Sequence, residues 1–442
     1  MSAPLQHLSL YVRVQAVCLL ISSLFLGLLP LSGSGCRRSV ADASQVSDSA
    51  QADADSVRMW REATDITCDA WHYADSVVAA LSDERKAGML FMPASYGNSD
   101  AATLARITEY ASTLHVGGIV LLRGDLRGAA VIADTLSRIC APGLFLAVDA
   151  ENGLRMRFAD APEFPWSREL GHLSDDQLLY EFGRELAREC RAVGINMVLG
   201  PVMDVVPGNG SHGLMRKRSL GSDPRRVADL AMAYARGVEE GNVISVAKHF
   251  PGHGSAKSDS HRALGEIIAS REVIDSIDLY PFRRYAAEGL SGMMVGHLSV
   301  QALDTVRRPA VVSPVVMHDV LRVELGFEGL VITDALNMEG AMGVKGWQAI
   351  AAGADMVIAP SDTRGEIREL LAAMADGRID KAVVADRCRR ILFYKYLVGL
   401  DKPHPIADID AAVADVGTDA PAMRDSITSA LRRHMSGILR PK

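Results

Sequence analysis

The feature that most constrains the fold is a recurrence: eight short apolar runs, rich in Val, Ile, Leu and Met, separated by longer amphipathic stretches. They are MLFMP (89–93), GIVLL (118–122), LFLAVD (144–149), NMVLGPVMD (196–204), SVAKHF (245–250), GMMVGH (292–297), LVITD (330–334) and DMVIAP (355–360). Runs that are apolar on both faces suit parallel strands covered by helices. The intervening stretches, among them DDQLLYEFGRELARECRAVG and DPRRVADLAMAYARGVEEGN, carry apolar residues at helical spacing, with Gly194 and Gly241 placed as stops. Strand and helix alternating eight times between Leu81 and Leu400 predict an α/β chain built as a single (β/α)8 TIM-type barrel.

The polar residues sharpen that expectation. Asp149, Asp204, Lys248, His249, His297 and Asp334 all fall at the C-terminal ends of the apolar runs, where a barrel gathers its chemistry at one mouth. The opposite ends read as apolar or turn-forming.

The N-terminus differs in kind. Arg13 leads into an apolar run from Ala16 to Leu29, short for a membrane span and suited to the core of a signal peptide. The stretch PLSGSGCRRS follows, in which small residues before Cys36 resemble a lipobox, with Leu31 five positions ahead of the cysteine. Residues 1–36 are therefore expected to be a signal of lipoprotein type, lipidated at Cys36. Residues 37–60, rich in Ala, Ser and Asp, read as a flexible tether. The expected domain spans 61–400 and a helical tail 401–442, giving an exported protein, monomeric, that meets a membrane only through its lipid.

With 47 basic and 54 acidic residues, no long run of either sign and few aromatics, nucleic acid is not an expected partner. Beyond the signal, Cys68, Cys140, Cys190 and Cys388 show no C-x-x-C spacing, so a cysteine zinc site is disfavoured while one disulfide stays open.

The stretch KHFPGHGSAKSDSH (248–261) concentrates the chemistry. His249 and His253 have the spacing of helical metal ligands, yet Pro251-Gly252 between them argues against a helix, and no H-E-x-x-H base accompanies them. No metal or cofactor is expected. Asp259 and His261 suit proton transfer, the carboxylate holding one ring nitrogen while the other gives or takes a proton near neutrality. Asp334, at the end of LVITD, would present a carboxylate able to attack an anomeric carbon.

On these motifs the chain resembles glycoside hydrolase family 3, in its β-N-acetylhexosaminidase branch. The resemblance rests on K-H-F-P-G-H-G followed by D-S-H, GFEGLVITDALNMEGAM, VDAENGLRMRF, KRSLGSDP, GPVMDV and MVGHLSVQALD, and covers about Leu81 to Leu400. It implies a retaining hydrolysis of terminal β-GlcNAc, with Asp334 as nucleophile and His261, oriented by Asp259, as acid and base. It also implies that Asp149, Arg157, Arg218, Lys248, His249 and His297 contact a carbohydrate substrate. His253, held between Gly252 and Gly254, is expected to brace its loop instead. Asn152, Leu154 and Ala335 depart from the family pattern. Two other readings are a β-glucosidase or β-xylosidase of the same family and a non-catalytic glycan-binding lipoprotein. The first usually takes its acid from another domain, and the second has no need of Asp334 with Asp259 and His261.

Overall fold

All eight apolar runs form strands, and they pair in parallel. A computed structural model describes residues 64–206, 213–256 and 263–438. The signal-like run, the tether, Cys36 and the Asp259–His261 pair lie outside the described residues.

The strands are β1 (Phe91–Met92), β2 (Ala94–Gly97), β3 (Gly118–Gly124), β4 (Phe145–Val148), β5 (Met197–Val198) and β6 (Ile244–Phe250), then β7 (Gly265–Ile267), β8 (Gly292–Val295), β9 (Leu298–Val300), β10 (Leu330–Thr333) and β11 (Val357–Ile358). A curled seven-stranded parallel sheet runs in the order β10-β8-β6-β5-β4-β3-β2. Beside it β1 pairs with β11, Phe91 opposite Val357. That pair touches both ends of the sheet, since only Pro93 separates β1 from β2 and Met356 bridges Ile332 of β10. β7 and β9 form a small separate parallel pair. The strands β4, β6, β8 and β10 are buried along their whole length, as expected of a sheet with both faces covered.

The covering helices form where local chemistry starts them. Asp223 caps Pro224–Glu240 by accepting from Arg225 N, with proline in the first turn, where its missing N–H costs nothing. This helix packs on Gln177–Ala192 so closely that a Cβ on Gly237 would lie 2.1 Å from the Tyr180 carbonyl oxygen. At the far end a helix through 64–80 joins the body, Trp71 stacking on Phe393 with centroids 4.1 Å apart. The tail contains two helices, Ile409–Asp415 and Ala420–Ile438. Among the described residues no helix is long and apolar enough to cross a membrane, and the four described cysteines are all free thiols.

One expectation needs correction: the N-terminal ends of the strands are not uniformly apolar. Asp355, fully buried just before β11, accepts from Arg390 Nη1 at 2.6 Å, Arg322 Nη2 at 2.9 Å and Val331 N at 2.8 Å. Burial would raise its pKa, but Arg390, Arg322 and Arg387 hold it below the usual carboxylate range. The cluster ties the helix Lys381–Leu397 to β10 and β11 from beneath.

Candidate functional site

The C-terminal edge of the curled sheet surrounds a cavity of about 360 Å³. Six of the residues expected in the site line it: Asp149, Arg157, Arg218, Lys248, His249 and Asp334. They come from the ends of β4, β6 and β10, from the turn after β4, and from the helix Gly213–Arg218.

Lys248 emerges from β6 with 1% exposure and places Nζ 2.6 Å from Asp149 Oδ1 and 2.8 Å from Glu151 Oε1. Asp149 receives the Arg157 guanidinium on its other oxygen. Glu151 receives the Arg218 fork, Nη2 at 2.7 Å and Nε at 3.0 Å. Burial alone would raise both carboxyls. Lys248 and Arg157 overcome it at Asp149 and hold that group well below the usual range; Arg218 and Lys248 do the same at Glu151, bringing it to about 2.

In its neutral form His249 is held in one tautomer. Its Nε2 lies 3.2 Å from Arg218 Nη2, and a guanidinium can only donate, so Nε2 accepts and Nδ1 carries the proton. Nδ1–H then donates to Asp204 Oδ2 at 2.7 Å. Asp204, fully buried, also accepts from the backbone N–H of His249 at 3.2 Å and of His253 at 2.6 Å. Against its burial, the two histidines bring its pKa down to about 2.

Asp334 follows β10 directly. Its N–H donates to the Val295 carbonyl at 2.9 Å, and its Oδ1 accepts from Ala335 N at 2.8 Å. Burial works to raise this carboxyl, but His249, His297, the Ala335 N–H and Lys248 together hold it below 3.8. It is thus an ionised carboxylate, partly open to the cavity. A fixed anion with an oxygen facing a polar cleft can act as a nucleophile.

The other candidates are placed differently. His297 is fully buried and does not line the cavity; its Nε2–H donates to the Ala335 carbonyl at 2.9 Å, next to Asp334. His253 lies behind the wall, its ring edge-on to His249 at 5.7 Å, as a brace for its loop. Glu151 lies within VDAENGLRMRF but is not among the expected site residues, and Asp204 is expected only at a strand end, without a role. Glu151 carried a usable signal: two positions from Asp149 on extended chain, it faces the same way.

Residues 84–393 match the model described as "Glycosyl hydrolase family 3 N terminal domain". The chain belongs to glycosyl hydrolase family 3. Its relatives place this family 3 enzyme in the β-hexosaminidase branch. It is 35% identical to a β-hexosaminidase of Neisseria meningitidis serogroup C over 272 residues, 58% of this chain and 74% of that protein. It is 36% identical to that of Nitrosospira multiformis over 258 residues, 55% and 73% of the two chains. Among solved structures, a family 3 β-N-acetylglucosaminidase from Paenibacillus sp. matches with TM-score 0.68 and 29% identity, covering 79% of the enzyme and 69% of that chain.

Proposed function

We propose that this family 3 enzyme is an exported, retaining exo-β-N-acetylglucosaminidase that removes terminal β-linked GlcNAc from glycans or muropeptides. The observation that carries the reading is Asp334, an ionised carboxylate in a cavity whose wall also presents Lys248, His249 and Arg218. The names of its relatives, β-hexosaminidase and β-N-acetylglucosaminidase, support the choice of sugar.

In the first step Asp334 Oδ bonds to the anomeric carbon as the glycosidic C–O bond breaks, and His261 gives its proton to the leaving oxygen. In the second, His261 takes a proton from water, the water oxygen bonds to the same carbon, and the Asp334 ester is cleaved. Asp259 orients His261. Asp149, Lys248, His249, Arg218 and Arg157 hold the sugar hydroxyls, and His297 steadies the strand end that presents Asp334.

The fold reading that accompanies this is a single eight-stave barrel, with β1 and β2 as one stave. The contacts of β11 with β1 on one side and with Ile332 on the other support it. Around it we place a signal in 1–36, a tether in 37–60, the catalytic domain in 61–400 and a helical tail in 401–442. If Cys36 is lipidated, Cys36→Ser moves the protein from the detergent phase to the aqueous phase; an unchanged partition argues against the anchor.

The test is release of chromophore from an aryl β-GlcNAc. The wild type is active and Asp334→Ala loses at least about 10³-fold in kcat, as expected for removal of a nucleophile. An inactive wild type, or an active Asp334→Ala, overturns the reading.

A further inference from the structure

A second buried carboxyl, besides Asp204, grips the loop that follows β6. Asp278 lies at the end of a π-helical turn, Ile274–Asp278, and is 1% exposed. Its Oδ1 accepts from Ser255 Oγ at 2.8 Å. Gly252, with φ of +125°, closes against it: a Cβ there would lie 2.7 Å from Asp278 Cβ and 3.2 Å from Oδ1. Asp278 Oδ2 is buried and has no hydrogen-bond partner among the described residues. Asp278 does not line the cavity. The loop is thus held twice, by Asp204 through the N–H groups of His249 and His253 and by Asp278 through Ser255 and Gly252.

We propose that Asp278 is a positioning residue for the reaction, clamping Gly252–Ala256 so that the chain leaves the site wall at the place proton transfer requires. The inference rests on the reading of Asp259 and His261 as the proton-transferring pair. Below neutrality its chemistry is that of a neutral acid. A carboxylate there would be stripped of water, would have no partner for Oδ2 among the described residues and would feel the anion of Asp204, so burial first, with Asp204 adding to it, pushes its pKa up to about 7, against the Ser255 hydrogen bond. Other charges nearby are taken up: Asp275 on the same turn by Arg271 and Arg283, and Asp229 of the neighbouring helix by Arg284. Asparagine should therefore substitute for the protonated acid. A single π-helical turn within a helix, such as Ile274–Asp278, is frequent at functional sites.

The experiment uses the full-length protein with Asp278→Ala, Ser255→Ala and Asp278→Asn. Two readouts are taken: steady-state kinetics on an activated aryl β-GlcNAc and on chitobiose, and hydrogen–deuterium exchange of the Gly252–Ala256 amides. Asp278→Ala and Ser255→Ala are expected to lower kcat on chitobiose at least about tenfold, with KM within about twofold and a smaller loss on the aryl glycoside. They should also exchange faster at those amides, while Asp278→Asn restores both readouts. Equal losses on the two substrates, a change confined to KM, or wild-type kcat and exchange in both truncations overturns the proposal. If Asp278→Ala does not fold, Ser255→Ala carries the same decision. A wild type inactive on every β-GlcNAc substrate sinks the functional reading instead, and the exchange data still decide whether the clamp exists.

Discussion

Lys248 Nζ stands 2.8 Å from Glu151 Oε1, and the two side chains are only 1% and 3% exposed. This ion pair joins the end of β6 to the turn after β4, and Arg218 attaches to the same carboxylate from a third element. The cavity wall is thus a chain of opposite charges whose orientations depend on one another. A buried pair of this kind is tolerated because each charge is matched, and it becomes costly when one partner goes.

Glu151→Ala leaves Lys248 and Arg218 buried without it and is expected to lower the unfolding free energy by about 3–5 kcal/mol. Urea titration measures it. Glu151→Gln, which keeps an acceptor, should cost less; equal losses would mean that charge is not what matters there.

Asp204→Asn reverses the hydrogen bond to His249. The amide donates to Nδ1, the proton moves to Nε2, and Nε2–H then opposes the Arg218 donor now 3.2 Å away. Losing one hydrogen bond to a charged group is worth about 1.5–3 kcal/mol, so kcat/KM on an aryl β-GlcNAc should fall about 10- to 100-fold with the fold intact by circular dichroism. An unchanged value would remove His249 from substrate binding.

Stability should peak at mildly acidic pH. Glu151 and Asp204 are lowered from 4.5 and 3.8 to about 2, so their contributions are complete above those ordinary values and vanish as the pH falls towards 2. Glu239 and Asp278 are raised from 4.5 and 3.8 to about 7, mainly by burial, so theirs are complete below those values and are lost as the pH rises to 7. Glu239→Gln should accordingly raise Tm relative to wild type at pH 8 and not at pH 5. The same difference at both values would show that Glu239 does not titrate in this window.

Asp355→Ala separates stability from activity. It removes the buried carboxylate that Arg322, Arg387 and Arg390 share beneath the sheet, at the end remote from Asp334, and leaves Arg390 only Asp386, at 3.6 Å, as an ion-pair partner among the described residues. Tm should fall by several degrees while kcat per folded molecule stays within about twofold. A parallel loss of kcat would tie this cluster to the site.

The fold was largely legible because all eight runs bury both faces, so each announced a strand without help from distant sequence. Three strands escaped: β2 is a small polar stretch behind Pro93, and β7 and β9 have three residues each, too short for a pattern. The segment 196–204 read as one strand contains only Met197–Val198 as strand, because the chain turns out at Gly200-Pro201. Most of the cavity wall was legible for the same reason, its residues standing at strand ends. What was hidden were pairings across the chain: Glu151 depends on Arg218, 67 positions away, and Asp278 on Ser255, 23 positions away. Neither spacing has a local period to betray it.

The central claim, that Asp334 becomes the glycosyl ester, is tested most directly by trapping. The wild type is incubated with a 5-fluoro-β-GlcNAc fluoride, which loses its anomeric fluoride to form the glycosyl ester faster than that ester hydrolyses, and the protein is digested for peptide mass spectrometry. The account predicts one added 5-fluoro-N-acetylglucosaminyl mass on the peptide carrying Asp334. The same mass on a different carboxylate, or turnover with no adduct and an inverted first product by NMR, would contradict it.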